Sequence, residues 1–292
     1  MRLNVVMTCN LTVLLKERMD TFSKGHKKIA KFILEHCDKV AYITAGRLAQ
    51  EVGVSESTIL RFAMSLGYDG YGEFQRDLIK AAHSHMTVIQ RMEMTKRMVG
   101  DCNVTEYVVH SDMDRLKAML DRVDPVELDK VIACLLSAKS IYIIGLRSSA
   151  TLAEFLGFYF NLLFNSVKVV NSVSGNDIFE QVLHVEPGDV IIGISFPRYS
   201  CRTVKAMKYA QSCGAKAIAI TDNELSPLCP YSQYALYADS DMSSFVDSLV
   251  APMSLINALI VNVAMKKEQD ITDLLTTLED LWDENEVFDG RN

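Results

Sequence analysis

The chain has 292 residues, 49% of them apolar, and a formal net charge of −7. That length can bury two cores, and that apolar content excludes a disordered chain. Residues 1–99 carry 15 Lys and Arg against 10 Asp and Glu, whereas residues 100–292 carry 15 against 27, so a mildly basic front precedes an acidic body, as suits a DNA-binding head on a body that stays off DNA.

The first helix is predicted from an Asn10 cap to about Met19, and the second over Lys24–Glu35, with Ile29, Ala30, Ile33 and Leu34 on one face. Thr44–Leu66 then reads as two short helices hinged at Gly53. Leu48, Ala49 and Val52 form the apolar stripe of the first, Val54 plugs the gap under the turn, and Val40 and Ile43 close the core. Ser55 is an N-cap for the second, whose Ile59, Phe62, Ala63 and Leu66 face inward. Glu56, Ser57, Thr58 and Arg61 are left facing outward, at positions that reach base edges and phosphates in a helix-turn-helix module. Ser55, Ser57, Thr58 and Arg61, with Arg47, Tyr68 and Tyr71, are therefore the candidate DNA-binding residues, and their partner is a double-stranded DNA operator.

A further helix is expected from about Glu73, closing a head over residues 1–77. Residues 78–123 are polar, rich in Met and long side chains, and read as a helical linker broken at the Gly100-Asp101 step. From Asp124 the texture changes. Pro125 opens an amphipathic helix, after which apolar runs alternate with helical patterns: Ser140–Ile144, Val167–Val170, Asp189–Ile194, Lys216–Thr221 and Tyr234–Ala238, with helices over Thr151–Phe164, Asp177–Leu183 and Arg202–Ser212 between them. Continuous apolar strands separated by helices predict a five-stranded parallel sheet covered on both faces, over residues 124–269. The Val250–Val263 run, interrupted by Pro252, Ser254, Asn257 and Asn262, reads as a buried helix shorter than a membrane span. Residues 270–292 form a C-terminal helix and tail.

Ligands in such sheets sit beyond the carboxyl ends of the strands. Two of those ends stand out. Gly145-Leu146-Arg147-Ser148-Ser149 follows the first strand, and Ser195-Phe196-Pro197-Arg198-Tyr199-Ser200 follows the third. Each combines hydroxyls, a guanidinium and helix N-terminal amides, which together suit an anion. The candidate ligand residues are Gly145, Arg147, Ser148, Ser149, Ser195, Arg198, Tyr199 and Ser200. Neither turn is a GxxxxGK[ST] phosphate loop or a GxGxxG dinucleotide loop, and no cofactor is expected. Seven scattered cysteines lack a CxxC pair and any metal-ligand spacing, so reduced thiols and no metal are expected. The first nine residues are too short for a signal sequence. A cytoplasmic protein without a membrane partner is the expectation.

These segments resemble the RpiR family of bacterial transcriptional regulators, which join an N-terminal helix-turn-helix to a C-terminal SIS (sugar isomerase) domain. In the head the resemblance is carried by KKIAKFIL and LAQEVGVSESTILRFAMSLGYDGYGEF, with Ser55, Thr58, Arg61 and Phe62 on the family's Ser-x-x-Thr-x-x-Arg-Phe. In the body it is carried by IGLRSSATLAEFL, GDVIIGISFPRYS, GAKAIAITDNELSPL and SFVDSLVAP. The fold it implies is an all-α helix-turn-helix head followed by a three-layer α/β domain of flavodoxin-like order. The function it implies is control of operator affinity by a sugar phosphate or related phosphorylated metabolite, touched by Ser148, Ser149, Ser195 and Ser200, in a homodimer or homotetramer. Arg147 stands where SIS domains commonly have a second glycine, and Pro197 and Arg198 where they have a second serine and a glycine. That substitution of bulk and charge suggests a smaller or more highly charged anion.

SIS folds also serve aldose–ketose phosphate isomerases, so an isomerase with an accessory helical domain is the alternative. It needs a base beside a carbonyl, for which Glu154, Glu180, His184 and Asp247 are the candidates, none with an evident acid/base partner. A third possibility is an adaptor whose head is only a dimerisation hairpin.

Overall fold

The computed structural model describes residues 11–85, 87–100, 103–172, 177–240, 246–285 and 287. Asn10, Asp101 and Phe245, on which parts of the reading above fall, lie outside them. The chain divides into two compact units: residues 1–111 with 224–226 and 241–248, and residues 112–223 with 227–240 and 249–292.

The first unit is helical. It contains α1 (Leu11–Glu17), α2 (Lys24–Glu35), α3 (Cys37–Val40), α4 (Ala45–Val52), α5 (Glu56–Ser65), α6 (Tyr71–His85), α7 (Val88–Val99) and the start of α8 (Val104–Arg122). Leu15, Ile29, Ile33, Leu48, Ile59, Phe62, Phe74 and Leu78 are fully buried in one core, because their spacing puts them on the inner stripe of each helix. Thr44 caps α4 by accepting from the Arg47 N–H, and Gly53 ends it at φ 72°. The N–H groups of Gly53 and Val54 both reach the Ala49 carbonyl, at 3.0 Å each, a tight left-handed close that glycine adopts without strain. The cap expected at Ser55 is not formed. Ser55 occupies the N-cap position of α5, but its side chain caps no backbone N–H. Its hydroxyl instead lies 2.9 Å from Ser57 Oγ and 2.7 Å from Thr58 Oγ1, while the Thr58 N–H is satisfied by the Ser55 carbonyl.

Phe62 anchors α5 among aromatic edges, with ring centroids 5.4 Å from Phe22, 5.2 Å from His26 and 5.8 Å from Phe74. Burial and the nearby Arg61 guanidinium hold the His26 imidazole below its ordinary pKa of 6.5. The unfolded chain therefore binds a proton there before the folded head does, and folding stability falls as pH drops through 6.5 toward the lowered value. Melting curves across that range should show this acid loss, and His26→Gln should flatten it.

Beyond the head, α6 begins at Tyr71, two residues before the predicted start. The segment expected to be a helical linker continues through α7 and α8. A Thr87–Gln90 capping box opens α7, and Gly100 at φ 53° follows its last residue.

The second unit holds α9 (Pro125–Leu136), β1 (Ile141–Gly145), α10 (Ser148–Leu163), β2 (Val167–Val170), α11 (Ile178–Gln181), β3 (Val190–Ile194), α12 (Cys201–Ser212), β4 (Lys216–Thr221), β5 (Tyr234–Tyr237), α13 (Val250–Lys266) and α14 (Glu268–Glu284). All strand pairs are parallel and the order is β2-β1-β3-β4-β5. Side chains alternate across the sheet. Ile141 and Ile143 of β1 meet α9, α10 and α13 in one core, whereas Tyr142 and Ile144 meet α11 and α12 in the other. This is the predicted three-layer sheet, with β1 and β3 buried along their whole length. The Val250–Val263 run lies inside α13, its Leu255, Ile256, Leu259 and Val263 buried. Among the described residues no helix is long and apolar enough to cross a membrane. There too, no His/Cys/Asp/Glu group is arranged to hold a metal, and Cys37, Cys134, Cys201, Cys213 and Cys229 are not in disulfides.

Candidate DNA-reading and effector sites

In the head, Ser57 and Arg61 are exposed and Thr58 half-buried, all on the outer side of α5. Arg61 Nε donates to the Ser57 carbonyl at 3.2 Å, which steadies the base of the side chain and leaves the rest of the guanidinium fork outward. Arg47 is exposed and pairs with Glu51 at 3.2 Å, one turn along α4. The two tyrosines are placed differently. Tyr68 Oη donates to Asp77 Oδ2 at 2.9 Å, and Tyr71 Oη to the Ile43 carbonyl at 2.8 Å. Burial pushes the Tyr71 hydroxyl up to about 12, and burial with the Asp77 carboxylate raises Tyr68 further. Both hydroxyls hold α6 to the head.

A basic feature missing from the sequence-based candidates is a row on α2. Lys24, Lys27, Lys28 and Lys31 are all exposed and line, with Phe22, one shallow depression. They sit opposite Ile29, Ala30 and Ile33, and their i, i+3, i+4, i+7 spacing was the readable signal. The helix starts beside α5: His26 stacks its edge on Phe62 and feels Arg61.

In the second unit the chain leaves β1 for one side of the sheet, then crosses to β3 on the other. The tips of β1 and β3 therefore flank the switch point, where parallel sheets open a crevice. Both serine-bearing turns begin there. Gly145 packs under α10 so closely that a Cβ would lie 2.3 Å from the Ser149 carbonyl oxygen. Arg147, at φ 59° and ψ −127°, precedes the helix, and no side chain caps its N-terminus. Ser148 is exposed and Ser149 buried. In the second turn Ser195 is buried, its Oγ accepts from the Ser200 N–H at 3.0 Å, and Ser200 Oγ caps α12 through the Thr203 N–H at 3.3 Å. Arg198 is exposed at φ 65°. Arg147 and Arg198 are the only non-glycine residues among the described ones with positive φ, a sparsely populated backbone placement that costs an L-residue about 1–3 kcal/mol.

Tyr199 ties this turn to the next strand. Its Oη donates to Asp222 Oδ1 at 2.7 Å, and the Thr221 hydroxyl donates to the Ser195 carbonyl at 2.8 Å. Arg122, the last residue of α8, donates to the Asp222 carbonyl at 3.3 Å and to Asp239 Oδ1 at 3.2 Å. The acid/base candidates are scattered. Glu154 and His184 are exposed, Glu180 accepts from the Asp177 N–H in a capping box, and Asp247 pairs with the buried Arg91 at 3.3 Å.

Fold and turns thus define a helix-turn-helix protein with a parallel-sheet domain whose β1 and β3 tips carry serine- and arginine-bearing turns. A model of the rpiR-family helix-turn-helix domain matches residues 9–85, and a SIS-domain model matches residues 134–262. An uncharacterized HTH-type transcriptional regulator of Haemophilus influenzae is 27% identical over 218 residues, 74% of this chain and 75% of that one. Among solved structures, the sugar isomerase domain of an RpiR transcription factor from Sphaerobacter thermophilus is 24% identical, with a TM-score of 0.57 over 60% of this chain and 97% of that one. The Vibrio vulnificus NanR protein, solved with ManNAc-6P, is 20% identical, with a TM-score of 0.56 over 94% of this chain and 98% of that one. The chain is an RpiR-type transcriptional regulator, an rpiR-family helix-turn-helix domain joined to a SIS domain.

Proposed function

We propose that this regulator reads an operator through α5 and that a phosphorylated small molecule at the tips of β1 and β3 sets its operator affinity. The observation that carries the reading is the joining, in one chain, of an outward-facing recognition helix and two hydroxyl- and arginine-bearing turns at a sheet's switch point. The neighbouring NanR structure contains ManNAc-6P, which supports the sugar-phosphate class of ligand. Residues 1–77 serve as the DNA-binding head, 78–123 as a helical linker, 124–269 as the effector domain and 270–292 as a C-terminal helix and tail.

Ser57, Thr58 and Arg61 face the major groove, with Ser55 bracing them and Arg47 reaching a phosphate once released from Glu51. Tyr68 and Tyr71 act by fixing α6 rather than by touching DNA. The lysines of α2 add a sequence-independent phosphate rail. Stable operator binding needs two heads about 34 Å apart, hence a homodimer or homotetramer. The exposed Phe158 on α10, with Val261 and Met265 on α13, supplies an apolar face for subunit contact. The protein works in the cytoplasm, where its DNA lies.

The test is a fluorescence-anisotropy titration on the protein's own upstream DNA at several salt concentrations, with and without sugar phosphates. A phosphorylated sugar should shift the binding curve. Replacing Lys24, Lys27, Lys28 and Lys31 by Gln should weaken binding to all sequences alike and lower the log–log salt slope by about one for each phosphate no longer neutralised. No preference for the upstream DNA over random DNA would overturn the DNA half, and indifference to every phosphorylated sugar the effector half.

A further inference from the structure

We propose that Arg122 is a positioning residue for regulation: through Asp222 it ties the end of α8 to the β3 turn, so that an effector seated in that turn acts on α8. The proposal rests on the reading of the turn as part of the effector site. α8 begins in the first unit and ends in the second, at Arg122. There Nη1 donates to two acceptors, the Asp222 carbonyl at 3.3 Å and Asp239 Oδ1 at 3.2 Å, and the guanidinium carbon lies 5.8 Å from the centre of the Tyr237 ring. Asp222 follows β4, and Asp239 lies just past β5. Directly beyond each, after Asn223 and after Ser240, the chain belongs to the first unit. One guanidinium therefore joins the end of α8 to both strand tips from which the chain continues into that unit.

Asp222 is buried, and its carboxylate fixes the β3 turn. Tyr199 Oη donates to Oδ1 at 2.7 Å, and the Thr221 hydroxyl donates to the same atom at 3.2 Å. Tyr199 lies within a turn that is closed on itself: the Ser200 N–H donates to Ser195 Oγ, and the Thr203 N–H to Ser200 Oγ. An anion at the start of α12 takes the same amides and hydroxyls and so competes with both internal bonds. The turn has two arrangements, closed on itself or closed on the ligand, and occupancy selects between them. Passing from one to the other moves the backbone on either side of Tyr199. Parting Tyr199 from Asp222 would leave a buried carboxylate short of a donor, which is costly. Asp222 therefore follows the turn, and its carbonyl takes Arg122 and the end of α8 with it.

Hydrogen–deuterium exchange of the full-length protein, with and without its own upstream DNA, tests this. Coupling between two sites is reciprocal, so DNA on the head must alter the turn even when no effector is added. Exchange of the amides in residues 195–203 should change by at least about fivefold on DNA binding. In Arg122→Gln that change should vanish while DNA affinity stays that of the parent. Tyr199→Phe, which deletes only the Oη that reaches Asp222, should abolish it as well. An unaltered turn in the DNA-bound parent, or a change that survives either substitution, would overturn the proposal. So would loss of DNA binding in Arg122→Gln, because the residue would then serve the fold and not its regulation. None of these outcomes bears on the turn as an effector site, which the sugar-phosphate titration above tests by itself. A parent that does not prefer its upstream DNA overturns the DNA half of the proposed function, and this proposal with it.

Discussion

Arg61→Ala is expected to cost about 1–3 kcal/mol of operator affinity while leaving affinity for random DNA and for effector nearly unchanged. The side chain is exposed on α5, fixed at its Nε by the Ser57 carbonyl and free to extend the rest of its fork. A guanidinium so placed can make two parallel bonds to a guanine edge, which is the source of that discrimination. The alanine variant should fold normally, because the inward neighbours Ile59, Phe62 and Ala63 are untouched. It should also free His26 from a nearby positive charge and so ease that imidazole back toward its ordinary value. Competition binding against scrambled DNA checks the first expectation. Equal loss on both DNAs would mean that Arg61 contacts only phosphate.

The second large effect is expected in the sheet domain. Gly145→Ala places a methyl group 2.3 Å from the Ser149 carbonyl oxygen and 3.0 Å from Ala153 Cβ. The near atom is backbone at the start of α10, so no rotamer change relieves the contact and the helix must move off the β1 tip. Overpacking of this kind costs about 1–3 kcal/mol or more, or roughly 2–4 °C of melting temperature per kcal/mol in a domain of this size. The shift also carries Arg147, Ser148 and Ser149 away from the β3 turn. Effector binding should therefore fall much further than stability does, and calorimetric melting beside ligand titration will separate the two losses. A variant that melts and binds like the parent would contradict the close packing described for this turn.

Much of the fold was legible because single residues dictate it. Gly53 marks the turn between α4 and α5, Pro125 marks the start of α9, and short unbroken runs such as IYII and VIIGI, alternating with helical patterns, read as strands buried on both faces. The site was legible less completely. A positive φ is normally announced by glycine, and at Arg147 and Arg198 the residue type conceals it. The dual use of Ser200, as helix cap and candidate ligand contact, could be read only in part, because a hydroxyl after a strand signals both. Tyr68 and Tyr71 looked like DNA contacts from their place after α5, yet their hydroxyl partners Asp77 and Ile43 lie 9 and 28 residues away, beyond any local pattern. The capping box of Thr87 and Gln90 that opens α7 is a local signal that the polar texture of residues 78–123 hides, and the lysine row on α2 is masked by a stronger apolar stripe on the same helix.

The strand order has a consequence for how the protein is made. Every pairing in the sheet is parallel, so β1 cannot meet β3 until the chain through Ile194 has been synthesised, and β5 must wait for Tyr237. The helices around Phe62 need only neighbours within a few dozen residues. Local contacts form fast and distant ones slowly, and N-terminal domains fold first as the chain emerges from the ribosome. A nascent chain thus acquires its DNA-reading surface well before the part that controls it exists.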